Sequence, residues 1–334
     1  MSQQAMFEYR DQTGFVQGLT FPQYDLVNMI PKARTDAETF SWDILYPHSE
    51  IDTNFVDQRG AARRADHMTR EKKTASLYTD FWFKTLNAGE IANRRRLGSN
   101  ERDDGGQQYI DAETTELADR FGAYKTQYMI ARALTGTLNF QVNGVAKTFD
   151  YEVPAGNKPT AAVTWATTTT NIIADLTTWR RLVSTATGKE VKFALCNQAT
   201  MNYVLRNDDV VNLVGKTDYA VAAAKSARYY DLLGLTWIVI DERYGGSGAT
   251  TFNTQFILDD KLILIPPMTE DWICLYEGLS RYPNAALNGF EEKFGPVSWT
   301  RSQDSPVGLV LYYMYSRGVS LKKPATLVYA DVTT

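Results

Sequence analysis

The sequence predicts an α+β protein, and three features carry that prediction. An amphipathic run at 111–134 reads as a long helix. An Asn143-Gly144 pair between two alternating stretches reads as a β-hairpin. From residue 190 onward strand-like and helix-like segments alternate, and the C-terminal end is rich in strands.

Residues 1–40 are only weakly periodic, and Pro22 and Pro31 prevent one long helix there. Such a segment is expected to wrap a neighbour or to order on meeting one. Residues 59–73, RGAARRADHMTREKK, carry six Lys/Arg against two acids. The run TASLYTDFWFKTL at 74–86 follows, with Leu77, Phe81 and Phe83 on one parity and Tyr78 and Trp82 on the other. Apolar groups on both parities predict a strand with something to touch on both faces. Arg94, Arg95 and Arg96 come next, then the acidic NERDDGG at 100–106. Together these residues read as a long β excursion with charged ends.

In the helix at 111–134, Leu117, Phe121, Tyr124 and Tyr128 recur at the spacing of one face. Asp111 is the expected N-cap, Glu113 and Glu116 suit the positive N-terminal end, and Gly136 closes the helix. Residues 137–153 form the hairpin, with Asn143-Gly144 suited to a type I′ turn. A second helix is predicted at 171–186, with Ile172, Leu176, Trp179 and Val183 on one face and Gly188 ending it. VKFALCN is a short buried strand, QATMNYVLRNDDVVNLV is helix-like, and LTWIVIDE is again a strand. GGSG at 245–248 lies between strands and reads as a hairpin tip. The strand-like TQFILDDKLILIPP, DWICLYEG, VGLVLYYMYSRGVSL and ATLVYADV complete the chain.

Composition narrows the function. Hydrophobic residues make up 44% and charged residues 22% of the 334 positions, which supports a sizeable core. The 19 Tyr and 15 Phe are plentiful for the length, which suits an ordinary core and an interface core equally. A net charge of −4 argues against tight, non-specific nucleic-acid binding. Cys196 and Cys274 sit in apolar surroundings and read as buried free thiols, in keeping with a reducing compartment. No signal peptide is predicted, and no apolar run approaches the roughly 20 residues that cross a bilayer.

The same reading finds no recognisable catalytic, cofactor or metal site. The two histidines, His48 and His67, both lie in the irregular early region and in no metal-ligand spacing. LVGKT at 213–217 resembles the end of a phosphate loop, but Val210 stands where that loop needs its first glycine. Acid pairs at Asp103-Asp104, Asp208-Asp209, Asp259-Asp260 and Glu291-Glu292 are the remaining candidates, and nothing selects one over another.

The order of segments carries a resemblance. ILYPHSEIDTNFVDQRGAARRADHMTREKKTASLYT is similar to an extended loop, and ELADRFGAYKTQYMIARALTGTLNF to a spine helix entering a first strand. VKFALCNQATMNYVLRNDDV and LGLTWIVIDERY resemble the opening of an axial domain, and FILDDKLILIPP a later strand of it. RYPNAALNGF, VSWTRSQDSP and the last strands resemble the family's ending. The family is that of the tailed-bacteriophage major capsid proteins with the Hong Kong 97-type fold, and within it the lambda-type group.

That resemblance implies an N-terminal arm at 1–40, an extended loop at 41–110, and a peripheral domain at 111–189 with its spine helix at 111–135. It implies an axial domain at 190–268, peripheral strands at 269–320, and a C-terminal strand at 321–334 returning to the axial domain. Subunits would form pentamers and hexamers of an icosahedral shell around double-stranded DNA, touching that DNA weakly. A separate scaffolding protein and a portal would be partners, with room for a decoration protein, and no membrane is involved. The location would be the virion capsid, assembled in the host cytoplasm. The expected inter-subunit contacts of the extended loop are Arg59, Arg63, Arg64, Arg70, Lys72, Lys73, Tyr78, Phe81 and Trp82. The cations would pair with acids of a neighbour and fix register. An encapsulin-like nanocompartment shell shares the fold and is the first alternative. An enzyme that uses surface carboxylates is the second.

Overall fold

In this computed structural model the described residues are 10–46, 69–93, 105–142, 144–214, 229–245, 254–284, 289–304 and 307–333. From the N-terminus they form β1 (Arg10–Asp11), α1 (Thr13–Gly18), α2 (Asp25–Met29), β2 (Lys32–Thr35), β3 (Thr39–Tyr46), β4 (Thr69–Ser76), β5 (Tyr78–Asn87) and α3 (Ala88–Asn93). Three consecutive helical segments follow: α4 (Gly105–Leu117), a π-helical segment (Ala118–Tyr124) and α5 (Lys125–Thr135). The hairpin strands β6 (Thr137–Val142) and β7 (Val145–Asp150) precede α6 (Ile172–Thr187). Next come β8 (Phe193–Cys196), α7 (Gln198–Arg206), α8 (Asp208–Val214), β9 (Tyr229–Leu232), β10 (Leu235–Val239), β11 (Arg243–Tyr244), β12 (Thr254–Gln255) and β13 (Lys261–Ile265). The last strands are β14 (Ile273–Asn284), β15 (Gly289–Phe294), β16 (Val297–Asp304), β17 (Val307–Leu321) and β18 (Val328–Asp331).

The chain folds as two compact units. The first holds Met1–Ser41, Thr74–Ile130 and Cys274–Ser320, and the second Trp42–Lys73, Ala131–Ile273 and Leu321–Thr334.

The first unit is organised by β17, whose fifteen residues alternate apolar groups to both faces. Its sheet runs β1-β16-β17-β14-β15, with β2 added on β14 and β5 on β17. Strand β5 pairs antiparallel with β17 along ten positions, from Gly308↔Asn87 to Arg317↔Tyr78. Leu309, Leu311, Tyr313 and Tyr315 on one face of β17 pack with Leu86, Ile110, Leu117 and Ala118. Burying one such large side chain stabilises by roughly 1.5–3 kcal/mol. Residues 10–35, expected to reach a neighbour, instead build on this unit. Val16, Leu26 and Ile30 are buried, β1 pairs with β16, and β2 runs parallel to β14.

The expected strand excursion divides into two parts. Strands β3 and β4 make a separate two-stranded ribbon, whereas residues 78–87 belong to the large sheet. Apolar groups on both parities of 74–86 suit a strand paired into that sheet.

The long helix departs from expectation at its start. It begins at Gly105, so Asp111 is no N-cap; it lies inside α4 and accepts a hydrogen bond from Gln107 Nε2 at 2.6 Å. The expected face also breaks, because the π segment changes the repeat. Leu117 is buried, while Phe121, Tyr124 and Tyr128 are only half-buried.

The second unit centres on a five-stranded sheet ordered β18-β13-β8-β10-β9. Strand β8 is parallel to β10 and antiparallel to β13, and β18 joins β13 from Lys261↔Asp331 to Leu264↔Val328. Helix α6 matches its predicted face: Ile172, Leu176, Trp179 and Val183 are all buried. Asn171 caps it by accepting from the Ala174 amide at 3.0 Å, and Gly188 ends it at φ +67°, a conformation that costs glycine little. Trp165 stacks on Trp179 at 5.4 Å and donates its indole N–H to Asp175. The helix-like stretch 198–214 breaks at Asn207, whose Nδ2 donates to the Thr168 and Thr170 carbonyls while its Oδ1 caps α8 at the Val210 amide. The hairpin pairs from Thr137↔Asp150 to Val142↔Val145, leaving a two-residue turn with Gly144 at φ +80°. Cys196 and Cys274 are buried and joined in no disulfide among the described residues, and burial pushes the Cys196 thiol up.

Candidate assembly surface

Strand β5 sets out the surface through its own alternation. Phe81 and Phe83 point to one face and Trp82 to the other. Register places Phe81 opposite Met314 and Phe83 opposite Tyr312, while Trp82 stands opposite Tyr313. The next strand brings Trp299 beside Tyr312. The result is a row of rings on the open face of the sheet. Phe81 stacks 5.9 Å from Trp299 and 6.0 Å from Tyr312, Phe83 lies 6.2 Å from Tyr312, and Tyr312 lies 5.0 Å from Trp299. Tyr282, 5.7 Å from Trp299, supports the row from below.

Packing fixes these rings while leaving their outer faces in water. Tyr282 and Trp299 are buried, yet Phe81 is 57% and Phe83 67% exposed. Clustered exposed aromatics cost solubility and mark a surface that meets a partner. Trp82, 44% exposed, belongs to the opposite face and stacks on Phe121 at 4.2 Å. The expected contact set thus separates: Phe81 joins the aromatic row and Trp82 does not. Tyr78 is half-buried at the start of β5, where burial pushes its phenol up. Phe83, Tyr312 and Trp299 were not among the expected contacts. The parity of Phe81 and Phe83 was visible in the sequence, but pairing of β5 with β17 joins segments more than two hundred residues apart, which no local pattern reports.

The charged contacts lie on the ribbon. Arg59, Arg63 and Arg64 fall outside the described residues. Arg70 is exposed on β4, 4.0 Å from Asp43 on β3, and Lys72 is also exposed. Lys73 pairs with Glu152 and, at 3.2 Å, with Glu71, and the Glu152 carboxylate before Glu71 holds its ammonium above the usual range. Arg70 and Lys73 therefore have acids of their own chain nearby. Exposed pairs of this kind contribute little to stability.

The candidate chemical groups take structural places. Asp208 and Asp209 occupy the first turn of α8, where the helix dipole favours anions. Asp259 accepts from Asn197 and, at 2.9 Å, from Gln255; Asp260 occupies a turn at φ +64°. Glu291 pairs with Lys293 and Glu292 with Arg281. His48, His67, Asp103, Asp104, the 215–217 part of the phosphate-loop-like stretch and most of the GGSG tip lie outside the described residues. Among the described residues no group of three or more His, Cys, Asp or Glu is placed to hold a metal ion. Among them, too, no helix is long and apolar enough to cross a membrane.

The fold is the α+β fold of phage capsid proteins. The crystal structure of a prophage capsid protein from Escherichia coli CFT073 aligns with a TM-score of 0.62 at 12% identity, covering 97% of this chain and 100% of that one. A phage-related protein from Bordetella bronchiseptica RB50 aligns at 0.56 and 10%, covering 96% and 95%. The mature capsid of bacteriophage PhiM1 aligns at 0.53 and 10%, covering 94% and 88%. The model of the family described as phage major capsid protein E matches residues 63–288, more than half of the chain, and the chain belongs to that family. It is a capsid shell protein, and it associates with copies of itself in the virion capsid. No curated protein matches the sequence.

Proposed function

We propose that the chain is the Hong Kong 97-type subunit of an icosahedral shell, forming pentamers and hexamers around packaged double-stranded DNA, and that it has no catalytic turnover. The exposed Phe81 and Phe83, in a chain of the capsid family, carry this reading best. A separate scaffolding protein and a portal complete the assembly in the host cytoplasm, and a decoration protein has room on the shell. The net charge of −4 suits a lining that encloses DNA without trapping it. The five-stranded sheet serves as the axial domain, and the ribbon β3–β4 with residues between its strands serves as the extended loop. Arg59, Arg63, Arg64, Arg70, Lys72 and Lys73 fix register against a neighbour, and Tyr78, Phe81 and Trp82 supply apolar contact. The family match favours this reading over the encapsulin-like and enzymatic alternatives.

The double variant Phe81→Ser, Phe83→Ser tests it. Both rings are mostly in water in the single chain, so the subunit stays folded, with stability within about 1 kcal/mol of the parent. Each ring lost from a shared interface removes roughly 1–2 kcal/mol per contact, and repetition over a closed shell multiplies that loss. Shell yield in a cell that makes the full set of partners falls to background. Normal shells from the double variant would overturn the assignment of this surface.

A further inference from the structure

We infer that the π segment of the long helix is a register switch, held in one state by the buried Arg317. A π turn accommodates one residue more than the α repeat allows, and such turns concentrate at functional sites. Here Ala118–Tyr124 is π-helical while Gly105–Leu117 and Lys125–Thr135 on either side are α-helical. The surplus residue displaces backbone carbonyls from the α ladder, and β17 supplies a donor for one of them. Arg317 Nη2 donates to the Phe121 carbonyl at 2.7 Å and to Asp80 Oδ2 at 2.9 Å. Lys125, the first residue past the π segment, pairs with the other oxygen of Asp80. The Gly122 carbonyl accepts from the Lys125 amide and from Thr126 Oγ1, the latter at 2.7 Å. Gly122 itself is required by close approach, because a Cβ there would collide with the Tyr313 hydroxyl.

Two further observations distinguish a switch from a fixed irregularity. The first is the cost of the lock. The Arg317 side chain is 0% exposed, and its Nε and Nη1 have no hydrogen-bond partner among the described residues. The Tyr315 ring beneath it, 4.4 Å from the guanidinium carbon, compensates only in part. A buried, incompletely bonded charge stabilises less than an apolar side chain of the same volume, so its contribution here is to specify one arrangement. The second is space. Ala118, Gly122 and Ala123 line a groove of about 660 Å³ in the same unit, together with Val16, Tyr313 and Tyr315, and Gln17 and Arg34 at its rim open it to solvent. On that side this stretch can shift without displacing a close-packed interior. When Arg317 lets go, the surplus residue can travel along the helix. Each turn it passes moves by one register step, about 100° and 1.5 Å, and the flanks keep their places.

Amide hydrogen exchange on the purified full-length chain tests the switch, comparing the parent, Arg317→Met, and Arg317→Met with Ala123 deleted. Methionine leaves Asp80 paired with Lys125, so no carboxylate is stranded. Arg317→Met is expected to raise exchange at 118–124 by about tenfold relative to the flanking helices. Deleting Ala123 removes the surplus residue, and protection there is expected to return to the level of the flanks. Unchanged exchange in Arg317→Met, or loss of the helix on deleting Ala123, would overturn the inference. Should Arg317→Met alone not fold, the double variant decides: recovery of a folded helical protein supports the switch, and failure to recover it counts against it.

Discussion

Asp11 shows how much one residue can hold in place. It accepts from the Thr13 amide at 2.8 Å, from the Tyr282 hydroxyl at 3.0 Å and from Lys293 at 3.2 Å, and so secures β1 against the sheet. Burial alone would raise its pKa, but the bonds from Thr13, Lys293 and Tyr282 outweigh that and hold it below the usual carboxylate value. A carboxylate depressed in the folded state stabilises above its unfolded pKa of about 3.9, and that contribution is lost as pH falls through the folded value. Asp11→Asn is therefore expected to be less stable than the parent at neutral pH. The gap should close as pH drops below about 4, a trend that urea midpoints across that range would show. A gap that stays constant with pH would mean that the Asp11 charge is not what holds β1. None of this was legible locally, since Asp11 and its partners Tyr282 and Lys293 are far apart in sequence.

At the scale of elements, the ribbon β3–β4 is expected to serve assembly more than folding. An isolated two-stranded ribbon is marginal in water, and among the described residues the core clusters of the two units draw on none of 69–74. Deleting 56–74 should leave a soluble subunit with near-parent helical content that forms no shells, as circular dichroism and sedimentation would show. Normal shells from that deletion would refute the loop assignment. Helix α6 and the Asn143-Gly144 hairpin were readable in advance because their signals are local: a 4-3-4 apolar spacing, a cap, and a turn dipeptide. The start of the long helix was not. Gly105 and Gly106 look like loop residues, and Asp111 looks like a cap, yet packing of Ile110 beneath the strands draws the helix back to Gly105. The π segment was invisible for a related reason. Leu117, Phe121, Tyr124 and Tyr128 fit an ordinary α repeat, and the residue that holds the segment, Arg317, arrives from the far end of the chain.

For the whole molecule, segment order carried more information than any motif. No catalytic constellation was found in the sequence, and the run of arm, charged excursion, long helix and alternating sheet pointed to shell building. The fold then resolved what order could not. It returned residues 10–35 to their own unit, gave β5 to the large sheet, and gathered Phe81, Phe83, Tyr312 and Trp299 into one row whose Phe81 and Phe83 rings stand exposed. Arg70 and Lys73 on the ribbon met acids of the same chain, so the aromatic row is a stronger candidate than these two for a contact between copies. Electron microscopy of the protein, produced with and without the scaffolding partner from its own genome, tests the central claim most directly. Closed icosahedral shells built of pentamers and hexamers are the expected result; a chain that stays monomeric under both conditions would contradict it.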